Sequence, residues 1–156
     1  MEPSRHQLSY KEAVAKASEL CSHSEKCSYD LELKCYEWQL SHEETTKLVN
    51  FLLEEKFINQ QRYANSFVND KFRFNKWGKI KLAYALKGKH IEDKYIREAL
   101  DNLPEDAYRK VLTDLLTSKA WTVKEKDAYT RRNKLLAFAQ SKGFGVDESL
   151  RIIGEM

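Results

Sequence analysis

The sequence predicts an all-α protein, an elongated array of three tandem three-helix repeats with about nine helices. Three observations carry this expectation. Glycine and proline together make only 7 of 156 residues, well under the roughly 12% of average usage. No glycine precedes Gly78, so the first half offers almost nothing suited to the positive φ of hairpins and Rossmann-type turns. The commonest residues are helix formers, with 19 Lys and 18 Leu against 6 Val and 6 Ile, and apolar residues recur at helical spacing behind capping signals.

The elements follow in order. Ser9-Tyr-Lys-Glu12 reads as a capping box, in which a hydroxyl accepts from a free backbone N–H and the acid reaches back. Val14, Ala17, Leu20 and Cys21 continue the apolar face of a helix over 9–23. A second helix over 28–39 places Cys35 at an apolar position. Ser41-His-Glu-Glu44 is another box, and Leu48, Val49, Leu52 and Leu53 carry a helix over 42–55. Further helices are expected over 60–73, 77–88, 92–103 and 105–119. Thr122-Val-Lys-Glu125 reads as a third box opening a helix over 124–142, and a last helix spans 147–155. Short connections favour packing between sequence neighbours.

The helices repeat. A shift of 47 residues lays Ala17 on Ala64, Leu20 on Phe67, Cys21 on Val68, Leu33 on Ile80, Val49 on Ile96, Leu52 on Ala99 and Leu53 on Leu100, and puts Ser41 on Gly88. A third unit follows at a longer offset, with Leu135 against Ile80 and Gly143 against Gly88, then Ile152 and Ile153. The expected units are 9–57, 58–103 and 104–156, one continuous array in which each unit buries its face on the next.

Charge is organised as well. The chain carries 27 Lys/Arg against 24 Asp/Glu, a net +3. Residues 71–90 hold seven bases and no acid, which leaves 20 bases and 24 acids elsewhere. Phe72, Phe74, Trp77 and Tyr84 are interleaved with these bases. They are either stacking surfaces for a phosphate-bearing or acidic partner or members of the core. A milder stretch from Lys119 to Lys142 has seven bases and two acids. There is no long apolar run, and Met1-Glu-Pro-Ser-Arg5 leads into charge rather than an apolar leader, so a cytoplasmic protein without a membrane span is expected.

Enzyme chemistry finds little purchase. His42-Glu43 starts like HExxH, but Thr46 stands where the second histidine is needed. His6, His23 and His90 belong to no nucleophile motif. Adjacent acids such as Glu43/Glu44, Glu54/Glu55 and Glu105/Asp106 point apart on a helix. The sequence has no GxxxxGK[ST] and no GxGxxG. Cys21, Cys27 and Cys35 are odd in number and without metal-module spacing, so free, packed thiols are expected and no metal or other cofactor. The chain is expected not to be an enzyme.

The segment Phe57-Ile-Asn-Gln-Gln-Arg-Tyr-Ala-Asn-Ser-Phe-Val68 resembles the RecX regulators of the RecA recombinase. Ile58, Asn59, Arg62, Tyr63, Ala64, Phe67 and Val68 fit the stretch that opens that family's second unit, and Gly78, Lys81 and Leu82 fit the start of the next helix. Gln60 departs from it, standing where an acid is common. The resemblance covers about residues 10–155. It implies a small cytoplasmic, cofactor-free, monomeric protein that binds RecA or its filament on DNA and restrains it in recombination, DNA repair and the SOS response. Single- or double-stranded DNA would be touched through the basic middle repeat. Arg62, Lys71, Arg73, Lys76, Lys79, Lys81, Lys87 and Lys89 are the expected contacts. The resemblance fixes Arg62 and Lys81, and charge and position select the others. A helix-turn-helix-like DNA-binding regulator, or a general helical-repeat interaction module, are the alternatives. Against the former, Leu82, Ala83, Tyr84, Ala85 and Leu86 leave little of that helix free to read bases.

Overall fold

Side-chain caps open several of the helices, and one type of turn closes the second helix of each triplet, so that the pattern recurs three times along the described residues. The structure, a computed structural model, describes residues 7–156. Met1 to Arg5 and His6 lie outside the described residues. Within them are nine α-helices and no strand: α1 (Tyr10–His23), α2 (Ser28–Glu37), α3 (His42–Glu54), α4 (Gln60–Asn75), α5 (Lys79–Gly88), α6 (Asp93–Asp101), α7 (Glu105–Ala120), α8 (Ala128–Ser141) and α9 (Val146–Glu155). None is long and apolar enough to cross a membrane.

The boxes at Ser9/Glu12 and Ser41/Glu44 are formed, with backbone N–H to oxygen distances of 3.1 to 3.2 Å. The box expected at Thr122 is not. Thr122 turns its hydroxyl back to the Lys119 carbonyl at 2.8 Å, and Glu125 pairs with Lys134. Asp127 caps α8 instead, accepting from the Thr130 N–H at 2.8 Å. An ionised carboxylate is a stronger acceptor than a hydroxyl, so the helix starts at 128 rather than 124.

The second helix of each triplet ends alike. The N–H of Leu40, Ile91 and Phe144 donates to the carbonyl of Cys35, Leu86 and Ala139, at 3.0 to 3.2 Å. The residue before each of these has positive φ: Gln39 at 59°, His90 at 60° and Gly143 at 96°. These are three Schellman turns, each folding an apolar residue back onto its helix. The glycine-poor first half therefore does make left-handed turns, using side chains that tolerate them less well.

These turns also set the register. The buried positions repeat at 51 residues, not 47, from the first triplet to the second: Ala13 with Ala64, Ala17 with Val68, Leu31 with Leu82, Cys35 with Leu86 and Leu48 with Ala99. The two shifts differ by four residues, one helical turn, so both keep an apolar face aligned. Leu33 and Ile80, paired by the shorter shift, are both exposed. From the second triplet to the third, Leu82 corresponds to buried Leu135 and His90 to Gly143.

Packing is mainly within triplets: α1 and α2 on α3, α4 on α5 and α6, and α7 and α8 on α9. The apolar interior has two bodies. One fills the first triplet around Ala17, Leu31, Leu48 and Leu52. The other runs without a break through the second and third, from Ala64 and Leu82 to Leu116 and Ile152. The exposed area, 10445 Å², exceeds the roughly 8200 Å² of a compact protein of this mass, as an elongated array requires.

Candidate functional site

The basic segment 71–90 forms the end of α4, the three-residue joint to α5, and α5 itself. Its geometry follows from the joint. Lys76 caps α4 in the left-handed region, at φ 56° and ψ 43°. Gly78 then passes against Gly143, so closely that a Cβ on Gly78 would sit 2.4 Å from the Gly143 carbonyl oxygen. The N–H groups of Gly78 and Ile80 donate to the carbonyls of Lys142 and Gly143, at 2.7 and 3.0 Å. The free N–H groups of α5 thus satisfy the free carbonyls of α8, and opposite helix dipole ends meet.

The Tyr108 hydroxyl completes this seam. It accepts from the Lys79 N–H at 2.9 Å, its ring stacks on Phe72 at 5.7 Å, and the Lys79 ammonium lies 5.0 Å from its centroid. Burial pushes the Tyr108 phenol above its ordinary range, so it stays a neutral hydroxyl at physiological pH.

The eight expected contacts do not form one patch. Lys71 and Lys81 flank the half-buried Trp77, with ammonium groups 5.2 and 4.7 Å from its ring centroid. Arg73 lies 5.6 Å from the exposed Phe74 ring. Lys76 and Lys87 are exposed and take part in no ion pair among the described residues. Lys79 belongs to the seam with the third triplet. Arg62 and Lys89 belong to the seam with the first.

At that first seam Arg62 donates to Glu25 at 2.5 Å and to the Lys56 and Phe57 carbonyls, and Lys89 pairs with Asp30 at 2.7 Å. The Asp30 carboxyl is pushed up by burial, but its bonds from Lys89 and from the Cys27 N–H prevail and hold it below its ordinary value. The hydrogen bond to Asp30 raises Lys89. Gln60 accepts from the Ser28 N–H at 3.2 Å, keeping an acceptor where the resemblance leads one to expect an acid.

The interleaved aromatics divide. Phe72 is buried in the core, whereas Phe74 is 73% and Tyr84 81% exposed. Tyr84, Ile80 (62% exposed) and Lys87 recur at helical spacing, so they share the outward stripe of α5. Charge reasoning found the lysines of this face but missed the exposure of Ile80, which entered only as the partner of Leu33 and Leu135 in the repeat, and the seam built by Tyr108, Gly78 and Gly143. Gly78 and Gly143 stand 65 residues apart, so nothing local in the sequence points to the seam.

Elsewhere, His42 and Glu43 line an open cleft of about 720 Å³ with Tyr10 and Lys47, and neither a cysteine nor a second histidine lines it. Cys27 and Cys35 are buried and Cys21 is partly so. Burial raises all three thiols, that of Cys27 to about 11, so they remain protonated and poor nucleophiles.

Comparison with known proteins adds to this geometry. The family described as "RecX, second three-helix domain" matches residues 59–100. The chain is 34% identical over 140 residues to a regulatory protein RecX of Clostridium botulinum (strain Alaska E43 / Type E3), covering 88% of this chain and 63% of that protein. The chain thus spans rather less than two thirds of this relative's length. A crystal structure of RecX from Lactobacillus salivarius superposes with a TM-score of 0.85 at 20% identity, over 94% of this chain and 95% of that one. Another, of a regulatory protein RecX, gives 0.85 at 18% identity, over 94% and 72%. These two carry the fold.

Proposed function

We propose, from the 34% identity to a regulatory protein RecX and the match to that family's second three-helix domain, that the chain is a RecX-type protein that binds the RecA recombinase or its filament on DNA. By binding, it modulates, and in the main restrains, that protein's activity in recombination and repair. We assign it no catalysis of its own. The units are 9–57, 58–103 and 104–156, acting as one monomeric array in the cytoplasm.

The observation that carries the reading is the outward face of the middle unit. Ile80 and Tyr84 form an exposed apolar stripe, with Lys87 on the same helix, Arg73 and Phe74 in the last turn of α4 and Lys76 on the joint between the two helices. Apolar anchors rimmed by cations suit a protein groove with an acidic rim. A recognition helix in a major groove needs polar outward side chains, and α5 turns Ile80 and Tyr84 outward. That favours the protein partner over the helix-turn-helix alternative. Arg73, Lys76 and Lys87 are the contacts best placed for binding, with Lys71 and Lys81 beside Trp77. Lys79, Arg62 and Lys89 act from the seams, holding the units in register.

The test is co-precipitation with the host's recombinase, with and without single-stranded DNA and nucleotide, using the wild type and Tyr84→Ala. Retention that rises when the filament is assembled, and falls with Tyr84→Ala at unchanged helicity, supports the reading. No retention under any condition refutes it.

A further inference from the structure

We propose that the third unit carries a stacking site for a single-stranded polynucleotide, centred on Trp121 and Tyr129 and served by Lys124, Lys126 and Arg132. This goes beyond the reading above and needs no recombinase.

Trp121 is 87% and Tyr129 65% exposed, although both rings are large enough to gain from burial. The loop that presents Trp121 is held in place. The Arg131 guanidinium donates to the carbonyls of Val123, Glu125 and Ala120, at 2.7, 3.2 and 3.3 Å, and Val123 is buried beneath it. An arginine spent on three carbonyls of one short loop fixes the platform before any ligand arrives, which lowers the ordering cost of binding.

Charge around the rings is one-sided. The Arg132 guanidinium lies 5.4 Å from the Tyr129 centroid. Lys124 and Lys126 are exposed. The two acids of the loop are engaged, Glu125 with Lys134 and Asp127 as the cap of α8. Two open rings, one with a guanidinium on its face, and two exposed lysines in the loop between them match a phosphate backbone with unstacked bases. A duplex offers no free base faces. The absence of a contiguous apolar stripe, such as Ile80 and Tyr84 make on α5, argues against a protein groove here.

The experiment is fluorescence anisotropy of labelled thymidine and uridine strands of about 20 nucleotides, and a duplex of equal length, with the full chain and no recombinase. The single strands should bind more tightly than the duplex, and the tighter of the two names DNA or RNA as the source. Trp121→Ala should weaken single-strand binding about 5- to 150-fold, the range for loss of one stacked base. Trp121→Phe should keep most of it, and the double substitution Lys124→Gln, Lys126→Gln should flatten the salt dependence. Trp121 is solvent-exposed, so the melting temperature should stay constant. Equal binding by Trp121→Ala and wild type overturns the proposal, as does loss confined to substitutions at Arg73 and Lys76. A chain that binds the strand through Trp121 yet ignores the recombinase keeps this inference and loses the function proposed above.

Discussion

Three residues at equivalent turns, Gln39, His90 and Gly143, are held at positive φ, yet only one is glycine. A Cβ on Gly143 would lie 2.3 Å from Lys81 Cβ at φ +96°, so Gly143→Ala should cost more than about 2 kcal/mol through strain and overpacking. Gln39→Gly, which relieves an unfavourable φ, should instead stabilise by about 0.5–1 kcal/mol. Urea denaturation of the two variants checks both signs. Asp30 and Lys89 act at the same scale. The depressed Asp30 carboxyl contributes stability that is present above its unfolded value, ordinarily 3.8, and lost as pH falls through the lower folded value. The raised Lys89 contributes stability present below its ordinary 10.5 and lost as pH rises through the folded value. The pair is therefore intact at neutral pH, and Asp30→Asn should reduce the acid-side fall in melting temperature below pH 4.

Helices were legible in the sequence because caps and apolar spacing are local. All nine lie within a few residues of the expected spans, and Ser9 and Ser41 cap as expected. What was not legible depends on competition or on distance. Asp127 outcompetes Thr122 because its carboxylate is the stronger acceptor, while the Arg131 guanidinium holds the intervening loop out of the helix. Asp127→Ala should therefore cost about 0.5–2 kcal/mol and Thr122→Ala distinctly less, as read from thermal melts. The 47-residue register was one turn short because residues four apart share a helix face, and only the Schellman turns resolve it. Of the expected contacts that charge and position selected, Arg73, Lys76 and Lys87 are exposed. Charge could not tell them from Lys89, nor the resemblance show that Arg62 is paired, because the partners Asp30 and Glu25 are distant in sequence. Trp121 lay in a span where helical spacing says nothing about exposure.

The whole molecule is an array with unequal joints. Backbone capping and the Tyr108 stack tie the second unit to the third, whereas two ion pairs, the Ser28–Gln60 bond and the Tyr29–His90 contact tie the first to the second. Solution scattering should give a radius of gyration clearly above the roughly 15 Å of a compact chain of this length. A value at or below that figure would contradict the elongated array. The central claim is that the basic, aromatic face of the middle unit engages the recombinase filament. The direct measurement is the affinity of the assembled filament for three proteins across a salt series: wild type, a triple reversal of Arg73, Lys76 and Lys87 to Glu, and a control reversal of Lys11, Lys16 and Lys47 to Glu. Circular dichroism should show the same helicity for all three. Exposed charges act over about 8 Å at physiological ionic strength, so position as well as net charge should count. The middle-unit reversal should weaken binding at least tenfold and flatten its salt dependence, with the control close to wild type. Equal losses from the two reversals would mean that net charge alone governs binding, and would contradict the assignment of this face.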